Sequence, residues 1–120
     1  MASVDFGDES VPAGVYYSEQ YGAVWIIALH GEFDLDTLPD VQDVTARVLA
    51  AFDGPLVFDL ALVSFCDSAL LNHLVRTASK RRTALAHAGA GVDRLLRLTG
   101  AEAVFSAYED LVNPTAEPDQ

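Results

Sequence analysis

Hydrophobic and polar positions change period several times along this chain, and each change marks an element. Val15-Tyr16-Tyr17 and the run Ala23 to Leu29 are rich in β-branched and aromatic residues, so they read as a strand pair. The Glu19-Gln20-Tyr21-Gly22 stretch between them supplies a turn. Leu38, Val41, Val44, Val48 and Phe52 then recur at three- and four-residue spacing, the stripe of a helix. Pro39 fits its first turn, where a missing N–H does no harm, and Asp53-Gly54-Pro55 stops it.

Leu56-Val57-Phe58-Asp59-Leu60 is a short apolar run, as expected of a buried parallel strand. Beyond a loop, Leu70, Leu71, Leu74, Val75 and Ala78 return to helical spacing. Thr83 to His87 reads as another strand. Val92, Leu95, Leu96 and Thr99 share the face of a third helix, with Asp93 in its first turn, Arg97 near its end and Gly100 as its stop. Val104-Phe105 and the segment to Val112 form a last short element. Strands alternating with helices predict an α/β fold with a largely parallel sheet and right-handed crossovers. Residues 1–13, with Asp5, Asp8, Glu9 and Pro12, and residues 114–120, with Pro114, Glu117, Pro118 and Asp119, read as tails around one domain spanning 14–113.

Composition narrows the function classes. At 120 residues and 51% apolar content, the chain can bury a core of its own. Seven Lys and Arg face 18 Asp and Glu, a net charge of -11, which opposes binding to nucleic acid or to an anionic membrane. No run approaches the roughly 18 apolar residues of a membrane span, and residues 1–10 lack the basic start and apolar run of a signal peptide. A single cysteine, Cys66, excludes an internal disulfide and fits a reducing cytoplasm.

The strongest candidate site is Val63-Ser64-Phe65-Cys66-Asp67-Ser68, which follows the carboxyl end of a buried strand and opens a helix, where ligands and partners of open α/β sheets gather. Ser68 has two readings. As the N-cap of that helix it stabilises by about 0.5 to 2 kcal/mol over Ala. As a phosphorylation switch it acquires roughly -1.5 to -2 charges, tolerated by the free N–H groups of the helix end and set against Asp67, with Asp34 and Asp36 as further acidic neighbours.

Other chemistries fit less well. Asp67, Ser68 and His73 hold the three side-chain types of a serine triad, but five helical residues turn about 500°, so His73 faces away, and the glycines of a nucleophile elbow are missing. His30, His73 and His87 show no metal-binding pair spacing. Cys66 sits among Val63 and Phe65 as a small buried apolar group. Gly89-Ala90-Gly91 is a plain turn without a phosphate-loop signature. Six of the seven basic residues lie between Arg76 and Arg97, and Arg76, Lys80, Arg81 and Arg82 form a solvated basic helix end, or a docking patch for an acidic partner.

Taken in order, Gly31-Glu32-Phe33-Asp34, Phe58-Asp59-Leu60, the Val63 to Leu71 segment with its Asp67-Ser68 pair, and Val92-x-Arg94-Leu95-Leu96-x-Leu98-Thr99-Gly100 resemble the STAS domain of bacterial anti-sigma factor antagonists. The resemblance runs from about Val15 to Val112. It implies a small mixed, largely parallel sheet of four to five strands covered by helices. It also implies a cytoplasmic, non-enzymatic regulator without a cofactor, a monomer or weak dimer, that binds an anti-sigma factor serine kinase and is switched off by phosphorylation of Ser68. Glu32, Asp34, Asp36, Asp67, Ser68, Ala69 and Leu70 are the implied partner-binding residues.

The family commonly reads Asp-Ser-Ser-Gly-Leu where this chain has Asp67-Ser68-Ala69-Leu70-Leu71. An exposed Leu70 there would alter docking or support self-association. The departure motivates an alternative, a STAS-type subunit of a signalling scaffold or lipid-transport complex whose Ser68 is never phosphorylated.

Overall fold

The computed structural model describes residues 14–33 and 37–112. Strands β1 (Gly14–Tyr21), β2 (Val24–Phe33), β3 (Leu56–Cys66) and β4 (Thr83–Ala86) form one sheet in the order β1-β2-β3-β4. The β1-β2 pair is antiparallel, while β2-β3 and β3-β4 are parallel. Helices α1 (Leu38–Ala51), α2 (Ser68–Lys80) and α3 (Ala90–Thr99) follow β2, β3 and β4 in turn, and a 3-10 turn (Ala101–Val104) leads to the short α4 (Tyr108–Val112). The mixed, largely parallel α/β sheet expected from the sequence is present, with four strands.

Period-two alternation splits the sheet into two faces. Ile27, Leu29, Phe33, Leu56, Phe58 and Leu60 point to one side and meet Leu38, Val41 and Val48 of α1, Leu70, Leu71 and Leu74 of α2, and Val92 and Leu96 of α3. Val24, Val57, Ala84 and Ala86 point to the other and pack on Leu111 of α4. Among the described residues, three helices therefore cover one face, while one five-residue helix covers part of the opposite one.

Several boundaries differ from the sequence reading. The expected turn at Glu19 to Gly22 is mostly strand: β1 runs to Tyr21, and Gly22-Ala23 alone make the turn. Both central strands outrun their apolar runs. Gly31 to Phe33, beyond the apolar run that ends at Leu29, pairs with Val63 to Cys66, expected to be loop. Register irregularities after Ala28 and after Gly31 break the clean alternation there, which hides the strand from a periodicity argument. Strand β4 ends at Ala86, and His87 follows with a positive φ of 57°.

Two of the sequence's basic residues have structural work at the helix ends. Arg97 pairs with Asp93 one turn earlier on α3, and Gly100 takes the left-handed C-cap conformation at φ 74°. Arg81, read from the sequence as part of a solvated basic terminus, instead reaches the far end of α1. Its guanidinium donates to the carbonyls of Leu49 (3.2 Å) and the C-cap Phe52 (2.5 Å), which have no intrahelical partner, and to that of Gly54 (2.8 Å) in the loop beyond. Arg81→Ala leaves these carbonyls unpaired and is expected to cost about 2 to 4 kcal/mol, read as a lowered urea midpoint. Arg81→Lys should recover less than half of that, because a single ammonium cannot replace the planar fork.

Candidate functional site

The junction of β3 and α2 brings the candidate residues together. Phe33 pairs with Cys66 and Glu32 with Phe65, so the carboxyl ends of β2 and β3 finish side by side and deliver Glu32, Asp67 and Ser68 to one edge of the domain. Glu32 and Ser68 are exposed. Asp34 and Asp36 lie outside the described residues.

The helix cap is Asp67, not Ser68. Asp67 has extended backbone geometry, and one carboxylate oxygen accepts the N–H groups of Ala69 (3.0 Å) and Leu70 (3.2 Å), while its carbonyl accepts the N–H of Leu71 (3.2 Å). Ser68 is the first helical residue and projects outward. The sequence suggests a Ser cap because Ser and Asp cap about equally well, and only the backbone geometry decides between neighbours. The amides expected to receive a phosphate are already engaged by the Asp67 carboxylate. A phosphate added to Ser68 would therefore stay at the surface beside that carboxylate and would not be drawn into the helix end.

Leu70 is fully buried, at 0% exposure, in the core beneath the site. The expectation of an exposed Leu70 available for docking or self-association is corrected accordingly. Its helical phase explains this: Leu70, Leu74 and Thr77 fall on the inward face of α2. Ala69 is half-buried and packs against the same core.

Beside Ser68 the surface dips into an open groove of about 550 Å³ between the start of α1, the outer side of α2 and the 3-10 turn. Leu38, Leu71, Val75 and Ala101 give it an apolar floor, while Ser68, Asn72 and Thr99 supply polar groups. Asn72, exposed one helical turn after Ser68, was not singled out by the sequence, and Thr99 was read there only as part of the α3 face and the family motif; the i, i+4 spacing of Ser68 and Asn72 is the signal that marks Asn72.

The neighbouring titratable groups are quiet. Burial, with the Asp67 charge as a lesser cause, pushes the Cys66 thiol up to about 11, so it is protonated at neutral pH and a poor nucleophile. His73 turns from Ser68 towards α1, where its Nε2 lies 3.0 Å from the hydroxyl of buried Thr45. Thr45 donates to the Val41 carbonyl at 2.7 Å, so the histidine nitrogen must donate and Nε2 carries the proton. This ring is committed to holding α2 against α1, and nothing resembling a Ser68-His73 couple forms.

Burial, followed by the positive charges of Lys80 and Arg76, lowers the pKa of His73 below its ordinary 6.5. The unfolded chain then binds a proton that the folded chain resists, so folding stability falls as pH drops below 6.5 towards the lowered value. Urea midpoints at pH 7.5 and 5.5 are expected to differ less in His73→Gln than in the wild type.

The comparisons with known proteins agree with this architecture. A family model described as "Mlab, STAS domain" matches residues 19–112, and the chain belongs to the STAS domain family. Among solved structures, an anti-sigma factor antagonist from Mycobacterium paratuberculosis superposes with a TM-score of 0.73 at 24% identity, covering 88% of this chain and 96% of that one. The anti-sigma factor antagonist SpoIIAA in its unphosphorylated form gives 0.63 at 16% identity, covering 87% and 98%. The Bacillus cell fate determinant SpoIIAA in its phosphorylated form gives 0.60 at 14% identity, covering 87% and 99%. At these identities the likeness establishes the fold. A comparison with curated protein sequences returns no match. No helix among the described residues is long and apolar enough to cross a membrane.

Proposed function

We propose that this protein is a cytoplasmic anti-sigma factor antagonist, a non-enzymatic binding module that docks on an anti-sigma factor serine kinase and is released when Ser68 is phosphorylated. The observation that carries the reading is the placement of Ser68: exposed, first in α2, next to a helix cap that is already filled, and at the rim of an apolar groove. A kinase can reach the hydroxyl without unfolding anything. The groove offers a docking partner an apolar floor, and Glu32 and Asp67 offer it acidic contacts. That the fold is shared with SpoIIAA, a protein solved in both phosphorylated and unphosphorylated forms, supports the same reading.

Phosphorylation adds roughly -1.5 to -2 charges at a surface that already carries Asp67. Because the α2 amides are engaged, the added charge is not neutralised within the domain. It must be desolvated, or held against carboxylates, in any complex that covers the groove. The switch therefore acts on the contact surface while the fold stays as it is.

The test is intact mass with peptide mapping of the protein from its native cells under two growth conditions. A single phosphate on Ser68 whose occupancy changes with condition is expected. A chain unmodified in both conditions that still co-purifies with a partner would overturn the switch. It would favour a constitutive STAS-type subunit of a signalling scaffold or lipid-transport complex, a reading supported by Ala69 and Leu70 in the motif.

A further inference from the structure

We propose that the sheet face opposite α1, α2 and α3 carries a second site, an aromatic pocket formed by Tyr17, Tyr21 and Tyr108 that receives an arginine side chain from a basic partner protein. Strand alternation builds it. Tyr17, Glu19 and Tyr21 lie on the same side of β1, opposite Ala28, Ile26 and Val24 of β2. Tyr108 closes the pocket from the start of α4, and Val24 and Ile26 form the floor of a cavity of about 330 Å³, room for a guanidinium and part of its stem. Tyr21 is 50% and Tyr108 37% exposed, which leaves their ring faces accessible.

The electrostatics favour a cation. Glu19 stands between the two β1 tyrosines, on the same side of the strand. Tyr17, Ala28 and Asp59 form one row across three strands, placing a second carboxylate on the same face, where one of its oxygens also lies 3.1 Å from His87 Nδ1 and accepts the Ala61 N–H. Both phenols titrate higher than an ordinary tyrosine. For Tyr17 burial leads, followed by the charges of Asp59 and Glu19; for Tyr21 the Glu19 charge comes first. Ring faces attract a cation, and a nearby carboxylate pairs with it.

Arginine suits such a site better than lysine because its planar guanidinium stacks on a phenol while presenting a fork to a carboxylate. Residues 1–13 and 113–120 do not supply it, since they contain neither Lys nor Arg and carry Asp5, Asp8, Glu9, Glu117 and Asp119. The net charge of -11 adds long-range attraction for a basic partner. The site lies on the opposite face of the sheet from the α2 helix that begins with Ser68, so the two surfaces can be occupied together.

The experiment is a titration of the full chain with N-acetyl-L-arginine amide, followed by amide and tyrosine-ring NMR shifts, with N-acetyl-L-norleucine amide as a neutral control. Saturable shifts confined to Tyr17, Tyr21, Val24, Ile26 and Tyr108 are expected with the arginine probe only, weakening as salt rises. Tyr21→Leu is expected to reduce affinity roughly 3- to 30-fold, the range for losing one ring face from a cation site. Glu19→Gln should reduce it as well. Equal shifts from norleucine, or binding untouched by both Tyr21→Leu and Glu19→Gln, would overturn the proposal. So would concentration-dependent shifts at these residues without probe, since a second copy of the chain would then be the occupant.

Discussion

Leu70→Gly, the substitution that restores the glycine common in the family's motif, is expected to be among the most destabilising single changes in this protein, at roughly 3 to 6 kcal/mol. Two effects add. Removing a fully buried leucine leaves a cavity beneath the β3-α2 junction, between α2 and the strands it covers. The glycine then loosens the first turn of α2, where Leu70 donates its amide to the Asp67 cap. Since a domain of this kind is stable by only about 5 to 15 kcal/mol, such a loss brings it close to unfolding at growth temperature. Urea or thermal melts give the value directly. Leu70→Met, which conserves volume, should cost less than about 1.5 kcal/mol. A Leu70→Gly protein as stable as the wild type would show that this side chain does not fill the core.

Ser68→Asp is expected to act in the opposite sense, leaving the fold alone and removing partner binding. The residue is exposed and follows a cap that is already satisfied, so a carboxylate there has little to disrupt, and the melting temperature should move by no more than a few degrees. Binding to the anti-sigma factor kinase proposed as its partner should weaken about 100-fold or more, because like charges forced together at an interface cost several kcal/mol. Ser68→Ala should bind as the wild type does and resist release by the kinase with ATP. Calorimetry on the three proteins separates these outcomes; unchanged affinity in Ser68→Asp counts directly against the switch.

The two substitutions sit two residues apart and show which parts of the site were legible in the sequence. The helical stripes of α1, α2 and α3 could be read because each has a continuous apolar face on a regular 3.6-residue period. The ends of β2 and β3 could not, since two register irregularities and the exposed Ala61, Leu62 and Ser64 interrupt the alternation that marks a strand. Asp67 and Ser68 were correctly located at the helix start, but their roles depend on whose backbone turns first, which composition does not encode. Leu70 misleads for a related reason. Placed by analogy with a glycine, it belongs on the surface; placed by the phase of its own helix, with Leu74 and Thr77, it belongs inside. Phase decides, because an apolar side chain on the inward stripe removes area from water that a surface position leaves exposed.

The contributions of His73 and Arg81 lay further out of reach. Both act across roughly thirty residues of chain, on Thr45 and on the end of α1, and nothing local distinguishes them from solvated polar residues. The sequence shows their charge and helical setting; only the packing of α2 beside α1 shows what they touch.

The first residues of β1 bear on how the chain behaves before it is fully folded. At the sheet edge the outward N–H of Val15 donates to the Asp40 carboxylate of α1 at 3.1 Å, and Gly14, at φ 155°, leaves room for that approach, since a Cβ there would lie 2.7 Å from the carboxylate oxygen. An edge strand with open amides invites another chain to add a strand. Here the guard belongs to a helix made later in synthesis, and it is in place only once α1 has docked. The β1-β2 hairpin is therefore exposed to association during the interval between its own formation and the arrival of α1, and again whenever a core lesion lets α1 lift away. Aggregation of weakened variants should begin at this edge, far from the substituted residue.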